Sequence, residues 1–152
     1  MLGAAGLAVA DRLSATPRDA ALVALGGWLA GASVDRLARV VGLTHSGAVR
    51  LADRLAADGL VERRSGADGR SVALHVTPAG AAEAAALRAA REATLDALLA
   101  PVADREAFVA GLEAILGGLT TGHESAGRTC RLCDPGACGH PERCPVTLAA
   151  RH

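Results

Sequence analysis

Lysine, asparagine, glutamine and tyrosine are missing from this 152-residue chain, and phenylalanine, tryptophan and methionine occur once each. Aromatic side chains therefore supply almost none of the core. It must be built from Leu, Val and Ala, which favours helices that pack closely. Arginine carries all the permanent positive charge, a bias expected of a GC-rich genome rather than a functional mark. The 16 Arg offset 16 Asp and Glu to a net charge of zero, which counts against nucleic-acid binding by bulk attraction. No apolar run attains the ~20 residues of a membrane-spanning helix, so no membrane partner is expected. Met1 to Ala10 is apolar but has no basic lead and runs straight into Asp11-Arg12, so no secretory signal is expected. The expected compartment is the cytoplasm, where thiols stay reduced. The part before the Cys-rich tail has no Ser/His/Asp or Cys/His constellation, there is no phosphate loop or paired-carboxylate cleft, and the chain is not expected to be an enzyme.

The length allows one domain with a single core, or a compact domain with an appendage. Residues 2–14 read as a short Ala/Leu helix. Thr16-Pro17 joins a cap to a first-turn proline and starts a helix expected to run to about Ala30. Gly26-Gly27 inside it cost about 1 kcal/mol each relative to Ala, marking either a close helix crossing or a break. Ser33 caps Val34 to Val41, where Val34, Leu37, Ala38 and Val41 share one face. Gly42 supplies the positive φ of a tight turn, and Thr44 caps a helix with Ala48, Leu51, Ala52 and Leu55 inward. Two short helices joined in this way make a helix-turn-helix.

That second helix ends at Asp58-Gly59. Leu60 to Arg64 then read as a strand, Asp68-Gly69-Arg70 as a loop tip, and Ser71 to Val76 as a returning strand with Val72, Leu74 and Val76 inward. Thr77-Pro78 starts a helix of some ~23 residues to Ala100, stopped by Pro101. Asp104 caps a final helix, which Gly117-Gly118 are expected to end. Phe108, Leu112, Ile115 and Leu119 line one face of it, and Leu87, Thr94, Leu95 and Leu98 lie on the long helix. So much apolar surface on a helical hairpin predicts a homodimer interface.

A helix followed by a two-stranded wing suits a DNA major groove and the adjoining backbone. Residues 33–78 hold seven Arg and five acids, with no acid between Gly42 and Arg50. Charge is placed rather than abundant, so affinity per half-site is modest and dimerisation is the remedy. Arg50 stands opposite the core face, where it can reach guanine O6/N7 or a phosphate, or stay a solvated surface Arg. Thr44, Ser46, Gly47 and Val49 surround it at the helix start. Arg54 reads as more structural than base-reading, and Arg63 and Arg64 as phosphate contacts. Arg70, held by Asp68, lies over the backbone or enters the minor groove; its plainer role is a weak turn pair.

From about Thr16 to Leu119 the chain resembles the MarR family of winged-helix regulators. The resemblance rests on L43-T44, V49-R50 and D53-R54-L55, then D58-G59-L60-V61-E62-R63-R64, D68-G69-R70, L74 and T77-P78-A79-G80. It implies an obligate dimer built from terminal helices, binding a palindromic operator in double-stranded DNA. Such proteins usually repress, and often release DNA on meeting a small ligand or an oxidant. By position, Ser46, Gly47, Val49 and Arg50 would meet the major groove, and Asp68 and Arg70 the wing site. His45 stands where Pro is frequent and Gly47 where Ser or Thr is frequent, which removes a hydroxyl from the groove face. The first helix is shorter than usual, and nothing here fixes the small-molecule effector.

After Gly122 the composition changes, and all four cysteines follow as Cys130, Cys133, Cys138 and Cys144, spaced C-x2-C-x4-C-x5-C. In a reducing compartment so dense a cluster reads as a metal site before a disulfide framework. Thiolates at these intervals can wrap one tetrahedral zinc ion. They can also hold a [4Fe–4S] cluster, for which Cys144-Pro145 is a familiar ending. His140 can replace one Cys or stand behind them. The order of expectation is zinc, then cluster, then bare thiols in a disordered or redox-switching tail.

The fold expected is mainly α (α+β): a winged helix-turn-helix with terminal dimerisation helices and a two-stranded wing. Residues 1–32 support and dimerise, 33–78 bind DNA, 79–119 form the dimerisation hairpin, and 120–152 the Cys-rich tail. The function expected is sequence-specific transcriptional regulation, as a repressor modulated by the tail's metal or thiol state. The rivals are a winged-helix protein–protein module, favoured by the zero net charge, and a small metal or iron–sulfur redox protein.

Overall fold

The computed structural model describes residues 2–66 and 71–151, with residues 2–7 described by backbone alone. The described elements are α1 (Leu2–Leu13), α2 (Pro17–Leu25), α3 (Val34–Val41), α4 (His45–Ala57), β1 (Val61–Ser65), β2 (Val72–Val76), α5 (Pro78–Leu99), α6 (Arg105–Leu119), α7 (His123–Thr129) and α8 (Pro145–Ala149). A short 3-10 turn at Cys130–Leu132 continues α7. This is a mainly helical winged helix-turn-helix with an antiparallel β1–β2 wing.

Helix α2 is the hub. Thr16 and Asp19 form a reciprocal cap at its start, each side chain accepting from the other's backbone N–H. Ala20 to Leu25 are all buried, so no face of this stretch meets water. The helix ends at Leu25, short of the expected Ala30, and Gly26 explains both alternatives read from the sequence. It is the C-cap, and a Cβ on it would lie 3.1 Å from the Ala84 Cβ of α5. Break and close crossing coincide. The chain then reaches the wing: Gly31 N–H donates to the Leu74 carbonyl and Leu74 N–H to the Ala32 carbonyl, both at 2.9 Å.

The helix-turn-helix forms as its caps dictate. Ser33 accepts the Arg36 N–H, Gly42 turns at φ +72°, and Thr44 accepts the Gly47 N–H. Ala48, Leu51, Ala52 and Leu55 are all buried. On α3 the buried set is Leu37, Ala38 and Val40, while Val34 and Val41 are half-buried. Val40 lies off the expected face because α7 packs there; a Cβ on Gly127 would meet Val40 at 3.6 Å.

In the wing, Val61 pairs with Val76 and Ser65 with Val72. Leu74 is buried as expected, but Val72 is exposed and Ala73 is buried. Val72 pairs at the outer end of the ladder, farthest from the helices, so no core reaches its inward face. The wing's base is locked by Thr77, whose hydroxyl donates to the Gly59 carbonyl at 2.6 Å and accepts the Gly80 N–H. Gly80 presses against β1's approach so closely that a Cβ would stand 2.0 Å from the Leu60 carbonyl oxygen.

Beyond the wing, α5 crosses α2, tied to it by the Arg18–Glu83 ion pair at 2.6 Å. Helix α6 is capped by Asp104 as expected, but Gly117 and Gly118 lie inside it; the helix continues to Leu119 and Thr120 closes it. It buries nothing, and Phe108, Val109, Leu112, Ile115 and Leu119 all stand exposed. The Cys-rich segment is no loose appendage. Helix α7 packs on α3, the 3-10 turn on α2, and α8 on α6.

Replacing Gly80 by Ala should lower stability by about 1–3 kcal/mol, because the new methyl displaces either α5 or the β1 entry. Urea unfolding followed by helical circular dichroism measures this; an unchanged midpoint would contradict the close approach.

Candidate functional site

Two surfaces carry chemistry. The first is the outer face of α4 with the wing beside it. Thr44, Ser46 and Arg50 are exposed, and Gly47 and Val49 are half-buried at the start of the helix. Thr44 is occupied as the cap, 3.3 Å from the Ser46 hydroxyl, so the two hydroxyls form one polar corner. Gly47 sits tight against that corner: a Cβ there would lie 3.2 Å from Thr44 Oγ1. The Arg50 and Arg54 guanidiniums have no hydrogen-bond or ion-pair partner among the described residues, and both are exposed. Two unpartnered cations on one helix face are available to an anionic ligand.

The wing arginines differ. Arg63 pairs with Asp53 of α4 at 2.8 Å, and Arg64 is held by the Glu62 carboxylate. Each keeps its charge beside an acid, so its pull on a phosphate is partly cancelled. Asp68 and Arg70, the expected wing-tip pair, lie outside the described residues. One contact had no signal in the sequence: His45 Nδ1 meets Asp35 Oδ1 at 2.6 Å, pinning the first turn of α4 to α3. A proline at position 45 would have no side chain for that contact.

The second surface is a cavity of roughly 590 Å³ lined by Cys130, Cys133, Cys138 and Cys144 together with Glu113 and Leu116 of α6. The same four cysteines line a further space of roughly 390 Å³ on the side of Trp28 and Arg36. The thiols thus form a layer between α6 and the α2–α3 side of the helix-turn-helix. Cys144 is buried, Cys130 and Cys133 half-buried, and Cys138 exposed.

The four thiols act on one another. Hydrogen bonding with Cys133 is the largest influence on Cys130, to which Cys144 and Cys138 add like charge, and Cys138 in turn feels Cys144 and Cys133. The bond from Cys130 holds the Cys133 thiol down to about 7 against the effect of burial, with Arg91 assisting; the same bond and burial push Cys130 up. Burial raises Cys138, offset in part by the His140 backbone N–H. Burial works against ionisation of Cys144 too, but the Thr147 hydroxyl and the N–H groups of Thr147 and Val146 bring it down. His140 Nδ1 lies 2.8 Å from the Thr147 hydroxyl, so it stands behind Cys144 rather than among the sulfurs. Among the described residues, no three His, Cys, Asp or Glu side chains are gathered tightly enough to grip a single ion.

Trp28, the only Trp, anchors this segment to the body. Its indole N–H donates to the Cys130 carbonyl at 3.0 Å, and Arg36 of α3 lies over its ring. A lone Trp among Gly26, Gly27 and Gly31 was the available signal, since a bulky ring in a glycine-rich turn needs a partner surface.

The MarR family model matches residues 20–71. Among solved structures the chain is similar to MepR, a transcription regulator of the Staphylococcus aureus multidrug efflux pump MepA. The two are 19% identical over 68% of this chain and 78% of that one, with a TM-score of 0.57. A MarR-family regulator from Silicibacter pomeroyi is 28% identical over 72% and 76%, with a TM-score of 0.52. A MarR-family protein of Mycobacterium tuberculosis, solved with p-aminosalicylic acid, is 22% identical over 75% and 94%, with a TM-score of 0.57. Curated proteins gave no match. No helix among the described residues is long and apolar enough to cross a membrane.

Trp28→Phe keeps the ring but removes the donor to Cys130. It should cost about 0.5–1.5 kcal/mol and speed protease cleavage between Gly122 and Cys144. A tail as resistant as in the unsubstituted protein would show that this bond does not hold it.

Proposed function

We propose that the protein is a MarR-type transcriptional regulator that binds a palindromic operator as a homodimer and represses from it, a reading supported by the MarR family model's match to residues 20–71. The observation that carries this reading is the outer face of α4, where Arg50 and Arg54 stand exposed and without partners among the described residues. In the proposed complex α4 enters the major groove. Arg50 meets a guanine edge or phosphate, Ser46 and Val49 contact the flanking bases, and the wing follows the backbone. Thr44 holds the helix start in place. Arg63 and Arg64 add weak phosphate attraction because Asp53 and Glu62 accompany them.

The zero net charge makes a single copy a weak binder, so the second copy is part of the function. The exposed row on α6, with Ile115 at 58% and Leu119 at 68% exposure, is the surface proposed to bury against its partner. Dimer geometry then sets the distance between the two α4 helices, and any input that alters it changes affinity for half-sites one DNA turn apart. The thiol layer, lying between α6 and the helix-turn-helix, is such an input through its metal or thiol state. A regulator acting in this way needs no enzymatic chemistry and works inside the cell, on DNA.

Arg50→Ala should weaken binding to a duplex carrying the upstream region of the protein's own gene by about 1–3 kcal/mol. Titration by fluorescence anisotropy measures this, and wild-type affinity and specificity would remove Arg50 from the groove. Independently, Ile115→Glu combined with Leu119→Glu should shift sedimentation from dimer to monomer at micromolar concentration while helix content stays constant. A dimer that persists would place the interface elsewhere.

A further inference from the structure

We propose that Arg128 and Arg131, both contributed by the C-terminal segment, seat a phosphate of the operator's DNA backbone beside the turn that leads into α4. The inference rests on the DNA-binding reading above and gives it a contact outside the winged helix itself.

A pocket of roughly 240 Å³ carries it, walled by Ala15 and Pro17 at the start of α2, Val40 and Gly42 at the end of α3, and the two arginines. Arg128 and Arg131 are the charged residues of that lining, and no acid shares it. Both are exposed, and neither has an ion pair among the described residues. The acids on the neighbouring elements are placed elsewhere. Asp19 of α2 accepts from the Thr16 N–H and hydroxyl, and Glu124, one turn before Arg128 on α7, forms no ion pair with it. Two uncompensated guanidiniums at one surface pocket suit an anion.

The sequence builds this position in steps. A Cβ on Gly127 would lie 3.6 Å from both Val40 Cγ2 and Trp28 Cη2, so α7 rests on α3 through a residue without a side chain. The next residue, Arg128, then lies over the helix-turn-helix turn: a Cβ on Gly42 would stand 3.5 Å from its Nη2. The Arg131 guanidinium donates to the Arg128 carbonyl, which keeps the second cation at the same end of α7.

Placement selects backbone phosphate as the anion. From Gly42 the chain reaches Thr44 in two residues, a span of at most about 7 Å. Thr44 and Ser46 form the polar corner that opens α4. A helix start lying in the major groove has the groove's rim beside it, where each strand carries a phosphate per about 3.4 Å of axis. Arginine forks match phosphate oxygens, and such a contact sets the register of α4 without reading sequence. In a dimer the two seats add four arginines, which answers part of the zero net charge.

The test titrates the full-length chain by fluorescence anisotropy against the upstream duplex and a scrambled duplex of equal length, over a range of KCl. Arg128→Ala and Arg131→Ala should each reduce the slope of log affinity against log salt by about 1 per bound chain, on both duplexes, with helical circular dichroism unchanged. Arg128→Lys should restore most of that slope, and Arg105→Ala, at the exposed start of α6, should leave it as it is. Unsubstituted slopes in both alanine variants would overturn the seat while DNA binding stands. A loss confined to the upstream duplex would overturn it as well, because the contact would then be to a base. If millimolar inorganic phosphate at constant ionic strength erases the difference between Arg128→Ala and the unsubstituted chain, the pocket takes a free anion and the backbone contact is overturned. Absence of salt-dependent binding to either duplex by the unsubstituted chain would overturn the regulator reading, and the seat with it.

Discussion

The burial of α2 on every side is the constraint on which the rest of the molecule depends. Ala20 to Leu25 offer only small and aliphatic side chains, and all six are buried. Helix α3, helix α5, β2 and the Cys-bearing turn all pack against this one helix. At Gly26, the C-cap, α5 crosses close by at Ala84. A core with almost no aromatic volume has few other ways to fill its space. Because α2 touches both the helix-turn-helix half and the thiol-bearing half, a shift on one side has a packed route to the other.

That arrangement changes the meaning of the tail. A segment with Gly, Pro and Cys at short intervals has little apolar surface of its own and would not fold alone. It is ordered here because Trp28, Val40 and α6 give it surfaces to lie on. The four sulfurs are consequently held at a junction, between the helix with the exposed apolar row and the helices that present α4. Electrostatics within the layer act over short range: neighbouring thiols, backbone N–H donors and Arg91 decide which sulfur holds charge. On the outer face of α4 and the wing the decision is reversed, since acids beside Arg63 and Arg64 leave Arg50 and Arg54 as the unopposed cations there among the described residues.

Much of the fold was legible because local chemistry and tertiary packing agree in it. Thr16, Ser33, Thr44, Thr77 and Asp104 each cap the helix their position predicts, and Gly42 adopts the positive φ its turn demands. The inward face of α4 follows from its period. Failures fall where a distant partner decides. Val40 is buried by α7, some ninety residues on, and no periodicity on α3 can announce that. Gly117 and Gly118 have weak helix propensity, yet the helix continues to Leu119. Val72 alternates correctly but lies past the core's reach. The outer face of α4 was legible as exposed residues and not as pairings: the Asp53–Arg63 and Asp35–His45 contacts need three-dimensional neighbours. The cysteines were legible as a cluster in the chain, while the cavity that all four line beside α6 was not.

The central claim is that two copies of this chain present their α4 helices to one face of a DNA duplex. Hydroxyl-radical footprinting of the full-length protein on the duplex upstream of its own gene tests it most directly. The account predicts two protected patches related by a two-fold axis, with their centres about one helical turn apart. A single patch, or uniform cleavage that protein concentration does not alter, would contradict it.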